Sequence, residues 1–290
     1  MDSMLLFPII CLGGLGLLFG CGLAFASKMF AVRVDPKIEE IIEVLPGANC
    51  GACGYPGCFN YAEAIVTGKV DINQCVPGGQ AVQQSIATIM GLAVGEISEA
   101  RVAVVQCGGG YAQAKTRFIY QGIQDCAAAE LIHGGAKACE YGCLGLGSCV
   151  RACPFDAMYM GDDGLPHVIE DKCTGCGICV TVCPRNIMAL IPRNQKVYLA
   201  CVSRDRGKAV KNVCKVGCIG CTLCANPKVT PSGCIQMQDN LPVIVKCGAD
   251  DLIVAAQKCP TKSFRVREVG KSSEAKAEEA GLDTNLNIRK

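Results

Sequence analysis

The chain has 290 residues, 24 of them cysteine, and a formal net charge of +2 at pH 7. That balance gives no electrostatic footprint for nucleic acid, and with no Trp and 5% aromatic residues there is little to stack on bases. Disulfide scaffolds are short secreted domains, whereas these thiols crowd into C-x2-C steps in a long chain, which points to thiolate-bound metal.

Residues Leu5 to Ala26 form an uncharged apolar run of 22 residues, long enough to cross a bilayer as a helix. Lys28 and Arg33 follow it while only Asp2 precedes it. The positive-inside rule then predicts a single-pass anchor in the cell (inner) membrane, with the bulk of the chain on the cytoplasmic side. A cleaved signal peptide is the rival, since Ala24-Phe25-Ala26 resembles a cleavage site; the tip lacks a basic region and the run is too long. Gly16 and Gly20 permit close helix contact, though glycine is common in membrane helices in any case. Cys11 and Cys21 read as apolar filler within this helix.

Asp35 to Leu45 reads as a short amphipathic helix with Ile38, Ile41, Ile42 and Leu45 on one face. Next come Cys50, Cys53, Cys58 and, after a helical stretch from Phe59 to Thr67, Cys75. The spacing C-x2-C-x4-C-x16-C closes a four-thiolate site, in a loop whose glycines and prolines allow it to fold around a metal centre. Gln80 to Gly95 reads as a helix, and Arg101 to Gln106 as a strand that ends at Cys107 and three glycines.

Cys173, Cys176, Cys179 and Cys183-Pro184 spell C-x2-C-x2-C-x3-C-P, the run that wraps a 4Fe–4S cube in bacterial ferredoxins. The fourth thiolate of such a run usually reaches a second cube, so a partner run is expected. It lies upstream at Cys139, Cys143, Cys149 and Cys153-Pro154. Zinc is the alternative, but zinc sites prefer separated pairs, often completed by histidine. Here the pairs merge into triplets, and His133 and His167 are the only histidines. Short strands are expected at Ala157–Met160 and His167–Glu170, in a core from about Lys137 to Pro192 that is stapled by its clusters.

An internal repeat extends this plan. Cys126, Cys139, Cys143 and Cys149 align with Cys201, Cys214, Cys218 and Cys224 at a constant offset of 75 residues. The second copy is degraded: Lys228 falls where the first has Cys153, and nothing after Cys247 matches Cys176 and Cys179. Cys218, Cys221, Cys224 and Cys259 still make a complete set. In the first copy Leu146 stands where the second has Cys221, and Cys139 is the nearest replacement. Cys107, Cys126, Cys201, Cys214 and Cys247 are either additional ligands or buried small hydrophobes; Cys234 reads more as the latter. The expected count is therefore at least four cubes, or five if spare thiols ligate.

Gly108-Gly109-Gly110 and the Gly145/Gly147 pair lack the strand–GxGxxG–helix setting, so no NAD site of its own is expected. No Walker sequence, nucleophile elbow or catalytic acid–base pair is present, which leaves electron transfer. The fold class is α+β: a transmembrane helix (1–27), a small four-cysteine domain (28–95), a linker with Cys107 and Cys126 (96–136), a two-cluster ferredoxin-like module of βαββαβ type (137–198), a degenerate second module in tandem (199–268) and a flexible tail (269–290).

These residues together resemble the RnfB family, a component of the Rnf electron-transport complexes, which are ion-translocating ferredoxin:NAD oxidoreductases. The carriers of the resemblance are ASKMFAVRVDP after the apolar run, LPGANCGACGYPGC with NQCVPGG, KACEYGCLGLGSCVRACPFDAM, CTGCGICVTVCPRNIM and CKVGCIGCTLC. The resemblance implies a six-subunit membrane assembly driving Na+ or H+ translocation. In it this component takes electrons from soluble ferredoxin and relays them to the membrane components RnfA, RnfD, RnfE and RnfG, while the flavin component RnfC handles NAD. It implies a membrane-proximal cube on Cys50, Cys53, Cys58 and Cys75, one ferredoxin cube on Cys139, Cys143, Cys149 and Cys183, and its neighbour on Cys173, Cys176, Cys179 and Cys153. The rival is the iron–sulfur subunit of another membrane-bound dehydrogenase or hydrogenase, against which stands the four-cysteine set directly after a membrane helix.

Overall fold

The computed structural model describes residues 2–30, 35–92, 99–245 and 249–267. Arg33, residues 93–95 of the helix expected to reach Gly95, Cys247 and the tail from 269 onward lie outside these.

Helix α1 (Asp2–Met29) contains the span Ile10–Met29, long and apolar enough to cross a membrane. Its Leu12, Leu17, Leu23 and Phe25 are each 71% exposed, so the described residues offer this helix no core. Three helices follow: α2 (Pro36–Val44), α3 (Cys58–Val66) and α4 (Gly79–Met90). Asp35 caps α2 by accepting from Lys37 N at 2.9 Å, and Pro36 occupies the first turn, where its missing N–H costs nothing. α4 stops at Gly91, in the left-handed conformation that favours glycine. The three pack around Ile41, Tyr61 and Ile86, all essentially inaccessible.

Two units of like topology come next. In one, β1 (Arg101–Val105) precedes helices α5 (Cys126–Leu131) and α6 (Ser148–Arg151), the hairpin β2 (Met158–Met160) and β3 (Pro166–Val168), α7 (Ile178–Val182) and β4 (Met188–Pro192). β1 pairs antiparallel with β4, from Arg101 opposite Pro192 to Val105 opposite Met188, and so closes the unit around the β2–β3 hairpin. In the other, β5 (Val197–Leu199), α8 (Gly207–Val213), a 3-10 turn at Leu223–Ala225, the hairpin β6 (Ile235–Gln238) and β7 (Leu241–Ile244), α9 (Ala249–Lys258) and β8 (Phe264–Val266) follow in order. Here β5 pairs with β8 and again encloses a hairpin.

Two expectations from sequence shift. Residues 101–105 lie in the segment expected as a linker, yet they supply an outer strand of the sheet, because an apolar run as buried as Val102 to Val105 needs a partner. The strand expected over His167–Glu170 sits earlier, because a turn starts at Ile169, whose carbonyl accepts from Lys172 N and Cys173 N. The two units are joined by Arg267 beside β8, whose guanidinium meets the Glu170 carboxylate in a two-pronged pair at 2.7 and 2.6 Å. Its third nitrogen donates to the Gln195 carbonyl at 2.8 Å.

Candidate metal centres

The Cys50–Cys75 loop is held by polar contacts. Asn49 Oδ1 accepts from Cys58 N at 2.8 Å, which sets the first turn of α3 against the loop. The Tyr61 hydroxyl donates to the Asp71 carbonyl at 3.0 Å and accepts from Gln74 N at 3.1 Å, so it fixes the approach of Cys75. Burial pushes the Cys75 thiol up, and Cys58, Cys53 and Cys50 push it further; these four form the first set.

A second set is Cys126, Cys143, Cys149 and Cys183, which line one cavity. Asp125 builds it. One carboxylate oxygen caps α5 by accepting from Ala127 N and Ala128 N at 2.9 and 3.0 Å. The other accepts from Ser148 Oγ at 2.8 Å, while that hydroxyl takes the Cys126 N–H at 2.8 Å. The start of α5 is thereby tied to the start of α6, and Cys126 to Cys149. The backbone amide of Ala128, then the Ser148 hydroxyl, hold the Asp125 carboxyl below the usual range.

The third set is Cys173, Cys176, Cys179 and Cys153, at the junction of α6 and α7. Cys153, Cys173 and Cys179 share one apolar core. Each short helix serves two sets: α6 holds Cys149 and leads to Cys153, and α7 holds Cys179 and leads to Cys183. Gly175, at φ +72°, lets the Cys173–Cys176 loop lie on β1; a Cβ there would stand 2.6 Å from the Arg101 carbonyl oxygen. The same strand gives Ala103 N–H to Cys173 Sγ at 3.5 Å.

Cys107, Cys139, Cys201 and Cys214 line one cavity and form a fourth set. Gly109 makes room for it: its Cβ would lie 3.4 Å from Cys214 Sγ and 3.7 Å from Cys107 Sγ. Buried Lys137 closes one side, its ammonium donating to the Gly109 carbonyl at 2.7 Å. The fifth set, Cys218, Cys221, Cys224 and Cys259, lines one cavity. Ser263 N donates to Cys259 Sγ at 3.4 Å. Burial raises the Cys259 thiol, but the amides and hydroxyls of Ser263 and Thr261 bring it below its ordinary value.

Cys139 therefore lines a different cavity from Cys143, Cys149 and Cys183, with which the resemblance grouped it, and Cys126 lines theirs. A signal for this existed, since Cys126 and Cys139 repeat as Cys201 and Cys214. Spacing alone does not say that Cys139 leaves its own copy to join Cys107 and the pair from the next. Cys234 is buried and disulfide-bonded. Cys11 and Cys21 are on α1 and Cys247 lies outside the described residues.

The sets adjoin in a row. Cys201 of the fourth packs in the core that Cys218, Cys224 and Cys259 of the fifth border. Cys143 N of the second donates to Cys107 Sγ of the fourth at 3.4 Å. The second and third share α6 and α7. Beyond the third, burial raises the Cys176 thiol, and Cys50 of the first set is close enough to add to it.

The thiols ring these spaces rather than meeting at a point; among the described residues no three Cys, His, Asp or Glu side chains converge as a single-ion site needs. Burial pushes Cys143, Cys179 and Cys201 up to about 12, with neighbouring thiols adding to it. Such sets are short of positive charge, and iron that displaces the thiol protons supplies it. A donor set of this width and softness fits a cluster that brings its own sulfides. The molecule is thus an iron–sulfur protein of several 4Fe–4S centres.

A family model described as a putative Fe-S cluster matches residues 45–77, and one described as a 4Fe-4S dicluster domain matches residues 136–190. The chain is 45% identical to the B component of the proton-translocating ferredoxin:NAD(+) oxidoreductase complex of Clostridium ljungdahlii, over 87% of this chain and 88% of that protein. It is 42% identical to the B component of the ion-translocating oxidoreductase complex of Methanosarcina acetivorans, over 92% and 100%. With the B component of the Na(+)-translocating ferredoxin:NAD(+) oxidoreductase complex of Acetobacterium woodii it shares 41% identity, over 75% and 65%. The chain belongs to the RnfB family of ion-translocating oxidoreductase complexes.

Proposed function

We propose that this chain is the iron–sulfur relay of an ion-translocating ferredoxin:NAD oxidoreductase complex, taking electrons from reduced ferredoxin and passing them to membrane subunits. Helix α1 anchors it as a single pass, with the cysteine-bearing bulk on the cytoplasmic side. Its partners are the membrane subunits of the complex, a flavin subunit that handles NAD, and soluble ferredoxin. The two relatives named for their ions carry different ones, a proton and sodium, so the translocated ion belongs to the complex rather than to this chain's thiols.

The observation that carries the reading is the row of five four-thiol sets, 20 of the 24 cysteines, in which the second to fifth touch through shared cores, shared helices or an N–H to sulfur bond and Cys50 of the first lies near enough to Cys176 of the third to raise its thiol. We assign ligands accordingly: Cys50, Cys53, Cys58 and Cys75; Cys126, Cys143, Cys149 and Cys183; Cys153, Cys173, Cys176 and Cys179; Cys107, Cys139, Cys201 and Cys214; Cys218, Cys221, Cys224 and Cys259. When bound, 4Fe–4S clusters supply one-electron oxidation and reduction with little movement of atoms. The chain holds them apart from water and one another and sets their potentials. The amides of Ala103, Cys143 and Ser263, each donating to a ligand sulfur, favour the reduced state. The C-terminal unit, with its outer pair and inner hairpin, is read as a second ferredoxin-like module that has lost one cluster.

The test is a count of iron and acid-labile sulfide on protein prepared without oxygen. Five sets predict about 20 of each per chain, and four would give about 16. An iron-free, colourless preparation would overturn the reading.

A further inference from the structure

Among the described residues outside α1, Cys221 is the one exposed cysteine; every other thiol of the five sets is buried or half-buried. It belongs to the set at one end of the row, and around it Thr222, Leu223 and Pro260 are also exposed. The chain on this side is cationic in sequence, although exposed Asp239 precedes Asn240, which borders Gly220. Between 199 and 267 the chain has eleven Lys and Arg against four Asp and Glu, whereas between 35 and 92 it has two against six. Lys258 and Lys262, both exposed, flank Cys259 in a turn closed by Lys262 N to the Cys259 carbonyl at 3.2 Å. The Arg206 stem packs 3.6 Å from where a Gly220 Cβ would be, next to Cys221. From 204 to 228 the single acid is Asp205.

We propose, on the relay reading above, that the basic rim around Cys221, formed by Arg206, Lys258 and Lys262 about the apolar Leu223, is where an acidic one-electron carrier of the ferredoxin class docks. The opposite end of the row belongs to the acidic domain that follows α1, which repels such a carrier. Opposite charge steers the encounter, and the exposed thiol brings the carrier's centre to the shortest distance this surface offers. One electron leaves the carrier, which is oxidised, and one reduces the centre held by the fifth set.

The experiment titrates the full-length, cluster-loaded chain with a small acidic bacterial ferredoxin and reads the dissociation constant. Affinity is expected to fall steeply between about 20 mM and about 500 mM salt, where screening removes long-range attraction. Replacing Lys258→Glu together with Lys262→Glu is expected to weaken binding ~10-fold or more at low salt, chiefly through the on-rate. Lys69→Glu, on the acidic domain, should leave it unchanged. The paramagnetic signal after dithionite reduction checks that each variant keeps its clusters. Should the double variant fold poorly, carbodiimide cross-linking of the unmodified chain decides instead: bonds from carrier carboxylates to Lys258 and Lys262 support the site, and bonds confined to other lysines overturn it. A double variant that binds and is reduced like the parent removes the docking site but leaves the relay intact. Tight, rim-dependent binding without electron transfer to the parent chain does the reverse.

Discussion

The two hairpin-centred units solve one problem in different ways. In the 101–192 unit Cys173 and Cys179 are part of the core, with Cys149, Cys153 and Cys183 at its border, and α7 is a mere five residues. In the 197–267 unit α9 is ten residues long and brings Leu252 and Ala255 into a core with Val229, Ile235 and Phe264. On the reading proposed above, one unit places a cluster where the other places hydrocarbon, and the second frame keeps its shape without that centre because a longer helix fills the space.

The comparison can be broken at three places, in falling order of effect. Arg267, at 5% side-chain exposure, is the pin between the units, and Glu170→Gln leaves its charge without a counterion. The expected loss is about 3–5 kcal/mol, read as a lower midpoint in denaturant. Leu252→Ala should cost about 2–5 kcal/mol and act on the C-terminal unit alone, leaving the 101–192 unit's hydrogen exchange unchanged. Equal loosening of both units would refute the view that hydrocarbon replaces a cluster in only one. The smallest effect belongs to Lys137, the buried cation whose charge partly offsets the burial that raises the thiols of Cys143 and Cys214 in two different sets. Lys137→Met removes positive charge that favours the reduced, more negative centre, so a redox titration should find one or two potentials lowered by roughly 60 mV, ~1.4 kcal/mol for one electron.

The local parts of this molecule were legible in its sequence. The helices after the anchor follow apolar periodicity and their caps, and Cys218, Cys221 and Cys224 meet around one cavity because three residues of turn bring them there. What spacing did not convey is the fourth set, whose thiols come from four places: the end of β1, the approach to α6, the end of β5 and the end of α8. Its assembly depends on how the two units lie together, through contacts such as Gly108 N to the Ala200 carbonyl at 3.0 Å and Lys115 N to the Val213 carbonyl at 2.9 Å. For the same reason Arg101–Val105 read as a strand without a partner. That partner, β4, begins 83 residues after β1 ends.

Gly175 has a consequence for how freely this chain can vary. Its backbone turns through a region that other residues reach only under strain, and the oxygen of Arg101 occupies the space a methyl would need. Both demands come from peptide geometry and neither from iron. A saturation library across 173–176 should find the position almost closed to replacement, while Thr174, which shares the loop, tolerates more. Heredity is confined there by one carbonyl on a strand that the sequence alone made look like a tether.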